Sequence, residues 1–210
     1  MCHANRMHFS WLGGSTVKIQ AKPLNQDVVI VIDPYKPAAG VFPRNLSPDI
    51  GLYSRGEAGS INLSGQPFIL STPGECETKG VLITTAPGHT ADALVLRIDA
   101  EDISVGHLGR TNSPLSDAQL EVLSEVDVLF VPFGGEGCYD AEEAVKAVNA
   151  VEPRIVIPMA FQSDNDPTAP PVSQFLKEMG VKNGQPEKKV IVKKKDLPQE
   201  ETKVIILAKE

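Results

Sequence analysis

The sequence predicts an α/β protein built as a four-layer α/β/β/α sandwich, in which helices cover two packed sheets. Short strand patterns separated by turns fill the first half of the chain, and strands alternate with helices in the second half. A chain of 210 residues fits one domain, and folding at that size buries roughly 70% of the extended surface. Regular patterning starts at residue 7, so we assign residues 1–6 to a disordered leader and residues 7–210 to a single domain.

The first half contains the strand patterns. A hairpin is predicted around Gly13 and Gly14, because paired glycines supply the backbone conformations of a tight turn. Residues 28–32 are a continuous β-branched run, which predicts a strand buried on both faces and ending at Asp33. Residues 36–48, rich in Pro and Asn, predict a loop. Further strands are predicted at residues 8–12, 16–20, 50–53, 60–63, 67–70, 79–85, 92–98 and 102–107.

Capping patterns mark the helices of the second half. Ser116 and Asp140 each begin a capping box, which predicts helices over residues 116–126 and 140–151. A third helix is predicted over residues 172–179, where Gly180 ends it. Further strands are predicted at residues 128–132, 154–158, 189–193 and 203–208.

Composition and charge exclude several functional classes. The chain is 41% hydrophobic with a net charge of −7, so it has no long-range attraction for nucleic acid or an anionic membrane. No apolar run approaches the roughly 18–20 residues that span a bilayer. Three cysteines without paired spacing favour a reducing compartment. We therefore predict a cytoplasmic protein with no nucleic-acid or membrane partner, and leave a homo-oligomer open.

Ordered landmarks over residues 7–207 resemble a known family. They are Ile-Asp-Pro-Tyr around Asp33, Leu-Gly-Arg ending at Arg110, Asp-Ala-Glu-Glu-Ala from Asp140, and Ile-Val-Ile-Pro-Met-Ala ending at Ala160. In this order they resemble the metallo-β-lactamase superfamily, and within it the Zn-dependent hydrolases similar to L-ascorbate-6-phosphate lactonase. The resemblance implies the four-layer sandwich and a hydrolase-type fold whose members use Zn or Mn.

The resemblance also locates the family's metal ligands, and this chain departs from them. The ligand positions that are not retained are Arg55, Glu57, Gly59, Ser60, Arg110 and Ala160. His89 is the one ligand that could survive, and His107 stands beside a ligand position rather than at one. A guanidinium repels a nearby divalent cation by several kcal/mol, since one unit-charge pair at ~4 Å is worth about 4 kcal/mol at an effective dielectric constant of ~20. We therefore predict that no metal cofactor is bound.

Three functions remain open. The candidate ligand-binding residues, expected around the former active site, are Arg55, Glu57, His89, His107 and Arg110. Because guanidinium groups bind phosphate and carboxylate bidentately, the first hypothesis is a catalytically degenerate member that binds a small anion or acts as an interaction protein. The second is an active lactone or phosphoester hydrolase with an altered mononuclear or metal-free site. The third is a structural or oligomerisation role, with an Arg–Glu ion pair filling the cleft.

Overall fold

A computed structural model describes residues 5–182 and 184–210, and its strands form two sheets packed face to face. The strands are β1 (Arg6–Gly13), β2 (Thr16–Ala21), β3 (Val28–Ile32), β4 (Ile50–Leu52), β5 (Phe68–Leu70), β6 (Gly74–Thr78), β7 (Val81–Pro87), β8 (Leu94–Ala100), β9 (Ile103–His107), β10 (Val128–Pro132), β11 (Ile155–Met159), β12 (Val190–Lys193) and β13 (Lys203–Val204). The first sheet has the order β12-β1-β2-β3-β4-β5 and the second the order β13-β11-β10-β9-β8-β7-β6. Residues 1–4 of the predicted leader lie outside the described residues, and β1 begins at Arg6.

The main core lies between the two sheets. The alternation of buried positions along β1 directs Phe9 toward the second sheet, where its ring meets Phe130 of β10 at 5.6 Å between centroids. Ile30 and Ile32 of the β-branched run are fully buried in the same core. This interleaving of apolar side chains from two sheets confirms the two packed sheets of the predicted sandwich.

The three α-helices are α1 (Asp117–Val122), α2 (Ala141–Val151) and α3 (Ser173–Glu178). Helix α1 packs on β7 and β8, and α2 packs on β10 and on α3. In the described part of the chain, the helices therefore cover only the second sheet. No helix among these residues is long and apolar enough to cross a membrane.

The outer face of the first sheet is covered by irregular chain instead of the predicted helices. Phe42, Ile61 and Leu63 from the segment between β3 and β5 pack on Leu12 and Val31 of the sheet. After β4, Gly56 and Gly59 have positive backbone φ angles of 71° and 78°, which interrupt regular structure in residues 53–67. The predicted strand at residues 60–63 is accordingly reduced to isolated bridges.

Parallel pairing brings several strand ends together. Strands β9, β10 and β11 run parallel in the second sheet, and β3 and β4 run parallel in the first. Because the carboxyl ends of parallel strands meet at one edge, the segments that follow them lie side by side. Asp33 and Arg55 follow the strands of the first sheet, and Arg110, Gly134 and Ala160 follow those of the second.

Candidate functional site

These strand ends surround a cleft of about 510 Å³. The β1–β2 turn at residues 13–16 forms one part of its wall, and the segment at residues 35–42 forms another. Arg55, Arg110 and the loop at residues 165–169 complete the wall. The cleft therefore receives side chains from both sheets.

Arg55 is exposed and stacks on an aromatic ring. Its guanidinium carbon lies 3.9 Å from the ring centroid of Tyr35. The Tyr35 hydroxyl donates to the carbonyl of Gly56 at 2.7 Å and accepts the backbone N–H of Arg55 at 3.2 Å. Burial, followed by the negative charge of Asp33, raises the pKa of Tyr35, so the phenol remains a donor throughout the neutral range. The stacked and bonded ring fixes the segment that carries Arg55.

Arg110 is half-buried at the other side of the cleft. Its guanidinium reaches toward Gly135, where an added Cβ would lie 3.5 Å from Nη2, and its positive charge acts on the thiol of Cys138. Burial raises the pKa of the Cys138 thiol, and the guanidinium offsets only part of that increase. The raised pKa disfavours the thiolate of Cys138, the form in which a cysteine acts as a nucleophile.

Neither arginine is neutralised by a carboxylate. Among the described residues, no Asp or Glu oxygen lies within 4.0 Å of the guanidinium nitrogens of Arg55 or Arg110. Glu57 instead accepts a hydrogen bond from the Ser71 hydroxyl at 3.1 Å. The predicted Arg–Glu ion pair that would fill the cleft is not formed.

Asp33 holds the segment before Arg55, a role that the sequence did not indicate. Its carboxylate is fully buried and accepts both the backbone N–H and the hydroxyl of Ser54 at 2.6 Å each. Its carbonyl accepts the Thr16 hydroxyl at 2.6 Å. The Asp-Pro step at the end of a buried strand was the only signal available. Asp33 thus joins the end of β3, the end of β4 and the β1–β2 turn.

A close contact brings the two arginine-bearing segments together. Gly109 has a φ of +65°, and an added Cβ would lie 2.7 Å from the Ser54 hydroxyl oxygen. Only glycine fits this approach without displacing the neighbouring segment. Since Ser54 precedes Arg55 and Gly109 precedes Arg110, the contact places both guanidinium groups on one cleft.

His107 is structural in this arrangement. Its ring is fully buried, with Nε2 3.0 Å from the Ser15 carbonyl and Nδ1 accepting the Gly109 N–H at 3.1 Å. This pairing assigns the proton to Nε2. Burial lowers the pKa of His107, although Asp33 acts in the opposite direction, so the ring is neutral. Both nitrogens are engaged, and His107 supports the turn at Ser15 without lining the cleft.

The remaining predicted site residues do not converge on the cleft. His89 is exposed in the loop between β7 and β8, and neither it nor Glu57 lines the cavity. Gly59 is exposed, and the Ser60 hydroxyl donates to the Glu57 carbonyl at 2.7 Å. Ala160 is buried with a φ of +63°.

The Ala160 backbone ties the two sheets together. Its N–H donates to the Gly14 carbonyl at 2.9 Å, and the Trp11 indole donates to the same oxygen at 2.8 Å. The β1–β2 turn is therefore held from the second sheet by Ala160 and from its own strand by Trp11. A position that the family resemblance assigned to a metal ligand acts here through its main chain.

Comparisons with known proteins identify the fold family. The pattern of the Beta-lactamase superfamily domain matches residues 8–160. A UPF0173 metal-dependent hydrolase of Methanopyrus kandleri is 23% identical over 214 residues, covering 82% of this chain and 89% of the relative. A Thermotoga maritima protein named as a Zn-dependent hydrolase of the metallo-β-lactamase superfamily has a crystal structure that matches with a TM-score of 0.77 and 26% identity. The match covers 96% of this chain and 98% of the Thermotoga maritima chain. Igni18, a metallo hydrolase of Ignicoccus hospitalis, shares the fold with a TM-score of 0.65 and 17% identity over 89% of this chain and 98% of its own.

These names contradict the prediction that no metal cofactor is involved, because the relatives are named as metal-dependent hydrolases. The residues of the cleft do not fit such a metal, however. Within residues 5–182 and 184–210, no three His, Cys, Asp or Glu side chains are grouped so that they could hold an ion. The ring nitrogens of His107 are already engaged, and Arg110 adds positive charge at the cleft.

Family membership rests on sequence and architecture together. The matched pattern spans most of the chain, and the two-sheet topology agrees with the Thermotoga maritima structure over nearly all of both chains. The chain belongs to the β-lactamase superfamily and has the metallo-β-lactamase fold.

Proposed function

We propose that this protein is a catalytically degenerate member of its family whose cleft binds a small molecule carrying phosphate or carboxylate. The observation that supports the proposal is a pair of arginines that line one cleft, Arg55 after a strand of the first sheet and Arg110 after a strand of the second. Among the described residues, neither has a carboxylate partner within 4.0 Å. A guanidinium is always charged at neutral pH and presents a planar fork of donors to an oxyanion. An anionic ligand would supply the partner that both side chains lack.

The charge balance of the cleft favours an anion. Lys36, Arg55 and Arg110 line it together with two carboxylates, Glu136 and Asp166. One Asp166 oxygen already accepts the Thr168 hydroxyl at 2.9 Å and a backbone N–H at 3.2 Å. Glu136 is exposed to solvent, which screens its repulsion of a ligand anion.

The shape of the cleft favours a small ligand. Its volume of about 510 Å³ lies within the range of roughly 300–1,000 Å³ typical of small-molecule sites. Apolar wall groups such as Phe42 and Ala39 would contact the uncharged part of the ligand. Arg55 and Arg110 would then set the orientation of its anionic groups.

Binding can be followed through the protein itself. Trp11 is the only tryptophan, and its indole donates to the Gly14 carbonyl in the cleft wall. Titration of inorganic phosphate, and then of phosphorylated and carboxylated metabolites, should change its fluorescence and raise the midpoint of thermal unfolding. Arg55→Ala and Arg110→Ala should each weaken the affinity by about 10-fold or more, the loss expected for a charged hydrogen bond.

A matched variant controls for general loss of charge. Arg44 is exposed and does not line the cleft, so Arg44→Ala should leave the affinity unchanged. Equal affinity in the wild type and both cleft variants, or no binding to any anion, would overturn the proposal.

A second candidate is an active hydrolase, and the names of the relatives favour it. The discriminating measurement is the hydrolysis of lactones and phosphodiesters by protein purified without chelator, with Zn or Mn added. Metal-dependent turnover accompanied by near-stoichiometric bound metal would replace the binding function with hydrolysis. Saturable anion binding without turnover would support the binding function.

A further inference from the structure

A segment that we call the strap, residues 36–42, forms one wall of the cleft and crosses from the first sheet to the second. It leaves the first sheet after β3 and reaches the loop that follows β11. There the Asn165 side-chain amide donates to the carbonyls of Ala39 at 2.8 Å and Val41 at 3.1 Å. The Val41 N–H donates to the Asp164 carboxylate at 2.9 Å. The main chain of the strap is therefore joined to the opposite side of the cleft by hydrogen bonds with the side chains of Asp164 and Asn165.

The end of the chain supplies a further attachment. The Lys209 ammonium donates to the Val41 carbonyl at 2.6 Å and forms an ion pair with Asp164 at 2.7 Å. The Lys209 side chain is only 10% exposed, whereas that of Asp164 is 50% exposed. We call Asp164, Asn165 and Lys209 the latch. Its groups come from two distant parts of the sequence and meet at Val41.

The strap fits closely but has little apolar anchoring at its tip. Gly40 has a φ of +74°, and an added Cβ would lie 2.5 Å from the Asp164 carbonyl oxygen, so main chain packs on main chain. The Val41 side chain, in contrast, is 75% exposed. Phe42 packs on the first sheet at the end of the strap, so the part that opens is residues 36–41. A segment held by a few polar contacts with little buried apolar surface opens at low cost in free energy.

We propose that the strap is a gate on the cleft and that the latch controls access of small molecules to the half-buried Arg110. This inference rests on the proposed binding function, because the gate regulates the same site. Lys36 and Ala39 of the strap line the cleft, so its release removes part of the wall. The latch depends on an ion pair whose carboxylate is half exposed, and salt therefore weakens it.

The first test measures access to the cleft directly. Phenylglyoxal, a small arginine-specific reagent, is added to the whole protein, and modification of Arg110 is compared with that of exposed Arg44 by peptide mass spectrometry. Lys209→Met keeps the aliphatic stem and removes the ammonium, so Arg110 should react roughly 10-fold faster, the factor expected for one charge-assisted hydrogen bond. Reaction at Arg44 should not change. Lys203→Met, at an exposed position of β13, is the matched control and should behave as the wild type.

Hydrogen exchange of the strap gives a second measurement. Amide exchange at Val41 should also accelerate roughly 10-fold in Lys209→Met. Asp164→Asn keeps an acceptor for the Val41 N–H and loses the ion pair, so it should show a smaller increase. Unchanged Arg110 reactivity together with unchanged Val41 exchange in Lys209→Met would overturn the gate.

The same reagent separates the two proposals. Inorganic phosphate should protect Arg110 from phenylglyoxal if the cleft binds anions. Protection by phosphate without any effect of Lys209→Met would overturn the gate and support the binding function. Faster modification in Lys209→Met without protection by phosphate at any concentration would overturn the binding function and, with it, a gate for a ligand.

Discussion

The protonation of His107 links pH to the free energy of unfolding of the protein. The ring is fully buried between the Ser15 carbonyl and the Gly109 N–H, and burial holds its pKa below 6.5. In the unfolded chain the same ring titrates near its ordinary value of about 6.5. Below that pH the unfolded state binds a proton that the folded state excludes. Stability should therefore fall as the pH decreases from about 7.5 through the unfolded pKa toward the folded one.

The size of the effect follows from the linkage relation. We consider a single site with an unfolded pKa of about 6.5 that stays neutral in the folded state. Such a site lowers the unfolding free energy of the protein by about 1.4 kcal/mol between about pH 7.5 and pH 5.5. The limiting slope is also about 1.4 kcal/mol per pH unit. The figure is an upper value for His107, because the negative charge of Asp33 favours the protonated ring.

The assay is urea unfolding followed by the fluorescence of Trp11 at several pH values in this window. His107→Gln retains a donor and an acceptor but no titratable group, so the decrease in unfolding free energy should be smaller than in the wild type by about 1 kcal/mol. His8 must be controlled, since burial and then the charges of Lys189 and Arg6 lower its pKa as well. A His8→Gln background isolates the contribution of His107. Identical pH profiles with and without His107 in that background would refute the reasoning.

Three further predictions concern the core, the metal positions and the turn. Asp127→Ala removes a carboxylate that is 3% exposed and holds several donors, so chemical denaturation should show a loss of about 2–3 kcal/mol. Arg110→Asp combined with Ala160→His should not produce hydrolysis of lactones or phosphodiesters in added Zn or Mn, because the family resemblance places further ligands at residues 55, 57, 59 and 60, where this chain has no His or Asp; turnover by this double variant would contradict that reasoning. Gly13→Ala should destabilise the protein by about 2 kcal/mol or more in the same unfolding assay, since its Cβ would lie 2.1 Å from a side-chain oxygen in addition to the strained φ of +109°. Gly14→Ala, with a φ of +53° and nothing within 4 Å, should cost only about 1 kcal/mol.

Local patterns predicted the regular elements well because the signals that set them are local. The capping boxes at Ser116 and Asp140 are both formed, and the helices begin directly after them. The β-branched run at residues 28–32 forms β3 as predicted. The loop layer over the first sheet was not predicted, because it depends on which distant apolar residues cover that face. Contacts between a loop and a distant sheet leave no periodic pattern in the sequence from which they could be predicted.

The candidate site was predicted in part for the same reason. Arg55 and Arg110 both line one cleft, since the ends of parallel strands have a fixed position in the fold, and their role in binding a ligand stays a prediction. His89 and Glu57 were expected at the cleft too, but neither lines it. Both lie in loops, where the direction of a side chain depends on backbone angles that the sequence does not reveal. The contacts of Lys209 with the strap join residues 168 positions apart. No nearby residue signals a contact of that range.

Under the proposed function, this chain and its relatives differ in what the cleft does to a ligand more than in which ligand it attracts. The relatives are named for a metal, and a metal cation attracts oxyanions and also generates hydroxide. A guanidinium attracts the same oxyanions but generates no nucleophile. Because Arg55 and Arg110 follow the strand ends that the fold brings together, they preserve positive charge at the cleft. The proposed function therefore predicts affinity for phosphate or carboxylate independently of hydrolysis, and the two properties should separate when anion binding and turnover are measured on the same protein.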